Sequence, residues 1–273
     1  MAYQAVFKRY EKKYMLTKAQ KEALLKVMEE HMKLDEFGHS TIRNIYFDTP
    51  DYLLIRRSID KPDYKEKLRI RSYQKATPES PAFIEIKKKY DKVVYKRRIS
   101  LPEKEAMRWI TGKGGCSKKG QITNEIAYFL KHYKNLKPAV FLTYEREAFY
   151  CPERKDFRVT FDENILARTE NISLEEDPYG TSLLPDGMVL MELKCAGGYP
   201  MWMVKFLSEN KIYKTSFSKY GTAYQTMIHP ALHEKAKQPV PQIEKVQRFP
   251  APSAPARRKV PVYSRSTALP HAM

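Results

Sequence analysis

The chain has 273 residues, enough for one large domain or two small ones, and its 42% of hydrophobic residues can fill a substantial core. A mean hydropathy of -0.62 and the lack of any run near the roughly 18 apolar residues of a membrane helix argue against a spanning segment; the stretch 1–8 has no signal-peptide core, so a cytoplasmic location is expected. The formal charge of +18 calls for an anionic partner: nucleic acid, a membrane surface or a polyphosphorylated small molecule.

In chain order, residues 5–15 read as a strand with Arg9, Glu11 and Lys13 on one face. Thr17 is a candidate N-cap for a helix over 18–32, whose Leu24, Leu25, Val27, Met28 and Met32 fall at helical spacing. Residues 41–48 read as a strand ended by the turn Asp48-Thr49-Pro50. Three strands follow between Tyr64 and Leu101, and their alternation is strict: Arg69 and Arg71 oppose Leu68 and Ile70, while Glu85, Lys87 and Lys89 oppose Ile84 and Ile86. In the third of them, Ile99 and Leu101 travel with Arg97 and Tyr95, so Lys96 and Arg98 share the charged face.

Residues 102–110 read as a helix, and 112–120 as a Gly- and Lys-rich loop without the spacing or the preceding strand of a nucleotide P-loop. Thr123 is expected to cap a helix running to Tyr133. A long strand over 139–150 and a return strand from Phe157 to Asp162 supply Arg146 and Arg158; a strand over 188–195 carries Glu192 and Lys194 on its charged face. A helix begins at Pro200, and Tyr213–Gly221 leads into a short final helix. The three cysteines form neither a disulfide framework nor a zinc cluster, and Pro230 argues against a regular helix that would pair His229 with His233 on a metal. From residue 233 the chain reads as a disordered, basic, Pro-rich tail, separate from a domain over 1–232; residues 237–273 carry seven Lys/Arg against Glu244 alone, which leaves +12 on the rest.

Like charges on neighbouring strands repel, so a face that gathers Arg69, Arg71, Lys87, Lys89, Lys96 and Arg98 is built for an anion. A barrel closed around that face would be a basic tunnel that focuses its field on a polyanion. The motifs Tyr10-Glu11-Lys12-Lys13-Tyr14, Arg69-x-Arg71, Glu85-Ile86-Lys87-Lys88-Lys89, Tyr144-Glu145-Arg146-Glu147-Ala148-Phe149, Arg158-Val159-Thr160-Phe161-Asp162, Met191-Glu192-Leu193-Lys194 and Phe217-Ser218-Lys219-Tyr220-Gly221 occur in the order seen in the VTC domain, which they resemble over residues 5–228. This is the polyphosphate polymerase domain of the vacuolar transporter chaperone complex and its bacterial relatives, within the triphosphate tunnel metalloenzymes that include CYTH domains.

The resemblance implies an α+β fold, a closed antiparallel β-barrel of the triphosphate tunnel type with flanking helices. It implies that Lys13, Arg69, Arg71, Lys87, Arg98, Arg146, Arg158 and Lys219 bind the phosphates in catalysis, with Ser218 assisting and Glu192 holding Mn²⁺ or Mg²⁺. Lys89, Lys96 and Lys194, on the same charged faces, are expected to line the substrate. The implied partners are ATP and inorganic polyphosphate, with a membrane protein in another chain as a candidate acceptor of product. Two positions depart from the pattern: Glu-x-Glu-x-Lys of CYTH domains stands here as Arg9-x-Glu11-x-Lys13, and Ser216 occupies a site where some relatives have lysine. Exchanging an acid for Arg9 favours more phosphate and fewer metal ions, and the terminal phosphate of a growing chain is already an ionised nucleophile, so chain extension is favoured over hydrolysis. The rival expectations are a tunnel triphosphatase and a non-catalytic polyphosphate-binding module. A specific nucleic-acid binder is disfavoured, because Tyr95 falls away from the basic face instead of interleaving with it.

Overall fold

The computed structural model describes residues 10–91 and 93–237; Arg9, with the first part of the first expected strand, and the tail beyond Lys237 lie outside the described residues. The chain divides into a compact unit ending at Lys235 and a second unit over Ala236–Met273. The elements of the first unit open with β1 (Tyr10–Thr17), α1 (Lys18–Met28), β2 (Lys33–Asp48), α2 (Leu53–Ile59), β3 (Tyr64–Ser72), β4 (Pro81–Tyr90) and β5 (Val93–Pro102). They continue with α3 (Glu103–Ile110), α4 (Gln121–His132), β6 (Lys137–Tyr150), β7 (Arg158–Arg168), β8 (Thr181–Ser182) and β9 (Met188–Cys195). The last are α5 (Met201–Glu209), β10 (Lys214–Thr215), α6 (Lys219–Ala223) and α7 (His229–Lys237).

The strands form one antiparallel sheet in the order β10-β1-β9-β7-β6-β2-β3-β4-β5, with β8 pairing β7. The expected closed barrel is therefore corrected: the fold is α+β and rich in antiparallel sheet, but among the described residues β5 pairs no strand on its outer side and the sheet stays open. A charged edge resists further pairing, and β5 carries Lys96, Arg97 and Arg98 and ends at Pro102. The sheet nevertheless curls until side chains span its two ends, with Lys87 Nζ on β4 lying 3.3 Å from Glu11 Oε2 on β1. Lys67 Nζ on β3 donates to Ser218 Oγ, 3.1 Å away at the start of α6.

Three apolar clusters hold this curl. On the outer face of β2–β5, Ile45, Phe47, Leu68, Ile70, Ile84 and Ile86 pack against Ala106, Trp109 and Ile110 of α3 and Ile126 and Phe129 of α4. On the outer face of β1, β7 and β9, Leu24 and Met28 of α1 and Met203, Phe206 and Leu207 of α5 cover Tyr14, Leu16, Phe161, Met191 and Leu193. The third cluster lies on the inner face: Tyr46, Val140, Leu142, Tyr144 and Leu190 meet Ile55 of α2 and Tyr220 and Ala223 of α6. Those two helices plug one end of the concave surface, the end reached by β2 at Asp48.

Local chemistry accounts for most boundaries. Thr17 caps α1 by accepting from Gln20 N at 3.1 Å, and Gln20 Oε1 in turn accepts from Thr17 N at 3.0 Å. The helix ends at Met28, short of the expected Met32, because the chain turns at once into β2. That strand starts at Lys33 rather than Thr41 and reaches β6 through a large bulge, in which the four residues 35–38 of β2 stand where β6 has Ala148 alone. Helix α2 was not expected at all; Asp48, assigned to a turn, accepts from Leu54 N at 2.9 Å and Ile55 N at 3.0 Å and so satisfies its first turn. Helix α4 starts at Gln121 behind Gly120, without the cap expected at Thr123.

Pro230 does not break the C-terminal helix. It sits in the first turn of α7, directly after a π-helical turn over Tyr224–Ile228, whose wider winding accommodates a residue that lacks an N–H. Helix α7 also runs past the expected domain boundary at 232/233. No helix among the described residues is long and apolar enough to cross a membrane.

Candidate functional site

The inner face of the sheet is built from alternation plus register. Pairing sets Lys13 of β1 against Glu192 of β9, and Glu11 against Lys194. It sets Arg69 against Glu85 and Lys67 against Lys87 across β3–β4, then Glu85 against Arg98 and Lys87 against Lys96 across β4–β5. Arg146 of β6 opposes Asp162 of β7, and Arg158 opposes Lys194. The inner face thus receives Lys13, Lys67, Arg69, Arg71, Lys87, Lys89, Lys96, Arg98, Arg146, Arg158, Lys194 and Lys219. The carboxylates that answer them are Glu11, Glu85, Asp162 and Glu192. Arg97 leaves this face and pairs with Glu125 of α4, with Nε 3.0 Å from Oε2.

Two carboxylate knots organise these charges. In the first, buried Glu85 takes Arg69 Nε at 2.8 Å on Oε2, Lys96 Nζ at 2.6 Å on Oε1, and Arg98 Nε at 3.5 Å. Burial would raise this carboxyl, but Arg69, Arg71 and Lys96 hold it well below the usual range. In the second, Asp162 receives Arg146 through Nε at 2.6 Å and Nη2 at 2.7 Å, and Lys219 Nζ at 2.5 Å. Beside it Glu192 lies within 3.0 Å of Lys194 Nζ, 3.4 Å of Lys13, 3.5 Å of Arg146 Nη2 and 3.7 Å of Lys219. Against the upward push of burial, Lys194, Lys13, Lys219 and Arg146 hold Glu192 well below the carboxylate range. Glu11 is drawn down to about 2, chiefly by Lys87.

The remaining cations are less matched. Arg71 is buried with neutral partners: its Nε donates to Asn44 Oδ1 at 2.8 Å and its Nη2 to Tyr144 OH at 2.9 Å. Arg69 Nη1 donates to Tyr46 OH at 2.9 Å. Burial pushes Lys67 down to about 8 and, with Glu85 opposing, Lys96 down to about 7. Lys89 is half-buried on β4, and Arg158 is exposed at the end of β7. Ser218 caps α6, accepting from Gly221 N at 3.1 Å, which aims the first turn of that helix and Lys219 at Asp162.

All the residues expected at the site thus fall on one face, and the structure adds others to them. Lys67 was legible, because it sits two residues before Arg69 in the same phase. Tyr46 and Asn44 carried no signal beyond their parity on an apolar strand, and Tyr144, although it opens a quoted motif, was given no role. Glu85 and Asp162 stood inside quoted motifs, yet their role as charge partners depends on register with strands distant in sequence.

Glu192 suits a divalent ion that arrives with its phosphates. Mg²⁺ and Mn²⁺ favour hard oxygen ligands, and Mg²⁺ is commonly held by one or two carboxylates, with substrate phosphates and water completing the shell. Glu11 and Asp162 lie near enough to feel the charge of Glu192. Among the described residues there is no cluster of three His, Cys, Asp or Glu that would hold an ion unaided. The donor set fits an ion shared with a phosphate chain.

A family model described as VTC domain matches residues 8–228. Among curated proteins none matches the chain. Among solved structures, the chain is similar to a candidate adenylate cyclase from Bacillus halodurans, at 15% identity over 78% of this chain and 96% of that one, with a TM-score of 0.49. It is also similar to a candidate adenylyl cyclase from Hippeastrum with a dominant triphosphatase activity, at 14% identity over 79% and 94% of the two chains and a TM-score of 0.46. A third, from Vibrio parahaemolyticus, is another candidate adenylate cyclase, with 12% identity, coverage of 80% and 98%, and a TM-score of 0.42.

Proposed function

The chain belongs to the VTC domain family, and from that premise we propose that it transfers the γ-phosphoryl group of ATP to the end of an inorganic polyphosphate chain lying on the concave cationic face. The observation that carries this reading is the state of the carboxylates. Glu11, Glu85, Asp162 and Glu192 are each held by lysine or arginine and kept ionised. A carboxylate so committed is a poor general base, the commonest means by which hydrolysis activates or orients its water. Chain extension does not: an ionised terminal oxygen of the polyphosphate attacks the γ-phosphorus, a P–O bond forms, the bond to the bridging β–γ oxygen breaks, and ADP leaves with that electron pair.

In this reading the protein positions and neutralises. Arg69, Arg71, Arg146 and Lys219 are fixed by hydrogen bonds before substrate arrives. Lys13, Lys87, Lys89, Lys96, Arg98, Arg158 and Lys194 extend the anion path, and Ser218 orients Lys67. Glu192 would hold Mn²⁺ or Mg²⁺, which would supply positive charge against the nucleotide phosphates. The product chain, too polar to cross a bilayer alone, would be handed to a membrane protein in another chain.

Tunnel triphosphatase activity is the competing reading, and one observation favours it. Lys67 and Lys96, pushed to about 8 and about 7, hold an unprotonated amine in part near neutrality and could take a proton from water; bound phosphate opposes this by raising both. The decisive experiment is incubation of the protein with ATP and Mn²⁺ or Mg²⁺, products resolved by gel, beside Glu192→Ala. Long chains with ADP, lost in the variant, support the transferase. Free phosphate without chains, also lost, makes the protein a hydrolase, and tight metal-independent binding without turnover makes it a binding module.

A further inference from the structure

The cationic face ends in a group of aromatic rings that the phosphoryl chemistry does not use. Along β3 the inner face reads Lys65, Lys67, Arg69, Arg71, and the next residue in phase is Tyr73. Phe83 of β4 lies across the ladder from Arg71. The Tyr73 ring meets Phe83 edge-on, with centroids 5.5 Å apart. The guanidinium of Arg98 lies 3.6 Å from the Phe83 ring centre and 5.3 Å from that of Tyr73. This end of β2 is opposite to the one plugged by α2 and α6.

Phe37 completes the group, and the chain makes a special arrangement to put it there. It belongs to the large bulge of β2, where Gly38 adopts φ +52 and Asp35 Oδ1 accepts from Phe37 N at 3.0 Å. A bulge of this kind re-aims a side chain, and Phe37 is left 68% exposed. Its ring is within 18° of parallel to that of Tyr73, itself 37% exposed, with centroids 6.4 Å apart. A centroid distance of 6.4 Å between near-parallel rings is that of an offset stack, so the two rings present one shared aromatic face with Phe37 outermost. The exposed flank of this pair, at the rim of the cationic face, leaves an open slot in which one planar ring can stack.

We propose that Phe37 and Tyr73, flanked by Phe83 and Arg98, bind the nucleobase of a nucleoside triphosphate. This rests on the reading of the adjoining face as the phosphate path. Polyphosphate has no π surface and cannot use the slot, whereas every nucleobase can, by stacking on the rings and by the cation–π contact of an arginine. Arg98 Nε faces Glu85 Oε1 at 3.5 Å, while its Nη2 makes no hydrogen bond among the described residues, so one donor remains beside the slot for a ribose or α-phosphate oxygen. A single nucleotide is favoured over a nucleic-acid strand because the next positions along the ladder are Arg71, Arg69 and Lys67, with no second ring in step. Stacking is tolerant of base identity, so the slot separates nucleotides from inorganic chains rather than ATP from GTP.

The test is calorimetric titration of the full chain with a non-hydrolysable ATP analogue and Mg²⁺, with inorganic tripolyphosphate, and with a short adenine oligodeoxynucleotide. Phe37→Ala is expected to weaken the nucleotide roughly 5- to 100-fold, the worth of one base–aromatic stack, and to leave tripolyphosphate affinity unchanged. Phe37→Trp is expected to restore nucleotide binding, which shows that the alanine effect is not misfolding. Equal loss for both ligands, or no loss for either, overturns the slot while leaving the phosphate path in place. Failure of the unaltered protein to bind any of the three removes the phosphate path and the slot together. Oligonucleotide binding that is tighter than that of the nucleotide, with the same dependence on Phe37, replaces the slot with a nucleic-acid platform.

Discussion

Exchanging Glu85 for glutamine tests the electrostatic design of the concave face. Glu85 is 1% exposed and compensates Arg69, Lys96 and Arg98, all of which are mostly buried. Glu85→Gln keeps the shape and removes the charge, leaving Arg69 and Arg98 uncompensated and driving Lys96, already lowered to about 7 with Glu85 in place, further toward its neutral form. Removing one partner of a buried ion pair costs about 3–5 kcal/mol, a large part of the roughly 5–15 kcal/mol that holds a domain together. Urea unfolding at pH 7 is expected to register that loss as a lower midpoint. Tripolyphosphate at about 100 times its dissociation constant stabilises any protein that binds it by about 2.7 kcal/mol, and its gain in the variant should exceed its gain in the parent, because the freed cations welcome the anion. The pH dependence has a fixed sign. Glu85 is held below its unfolded value, so its contribution is complete above about pH 4.3 and is lost as pH falls through the folded value, and the gap between parent and variant closes in acid. A variant as stable as the parent at pH 7, or one that gains no more than the parent from tripolyphosphate, refutes the reasoning.

Two further outcomes follow from the same contacts. Asp48→Ala removes the acceptor for Leu54 N and Ile55 N and for the buried Tyr220 hydroxyl at 2.8 Å, so a loss of about 2–4 kcal/mol is expected; combined with Tyr220→Phe the losses should be less than additive in a urea double-mutant cycle. Lys67 and Lys96, lowered to about 8 and about 7, lose charge as pH rises through that range, so tripolyphosphate affinity measured by calorimetry between pH 6 and 9 should fall. Binding should take up protons, and the unliganded protein should grow more stable over the same range because the unfolded lysines hold protons that the folded ones have released.

How much of this was legible in the sequence depended on whether a feature was local. Strands β3–β5 follow from strict alternation, and α1 from the N-cap candidate Thr17 and the helical spacing of its apolar residues. Helix α2 escaped because its cap, Asp48, belongs to the preceding strand, and the short stretch Leu53–Ile59 has too few turns to display a period. The first half of β2 escaped because the bulge at Gly38 breaks its phase and its run of charged residues imitates a loop. Cationic site residues could be phased one strand at a time. Their pairing with Glu85, Asp162 and Glu192 could not, since it depends on the register between segments far apart in sequence. The open sheet was equally hidden: alternation assigns faces, and says nothing of whether the last strand meets the first.

That open edge changes how a long chain would reach the surface proposed to bind it. A ring of backbone hydrogen bonds admits a linear polymer by its tip alone, so the interior of a polymer already anchored at both ends stays out of reach. Here the two ends of the sheet are joined by Lys87 with Glu11 and by Lys67 with Ser218, contacts between side chains that part by changing rotamer rather than by unzipping a ladder. Among the described residues no backbone ladder closes that flank, so a polyanion bound as proposed has a route in from the side as well as by its tip.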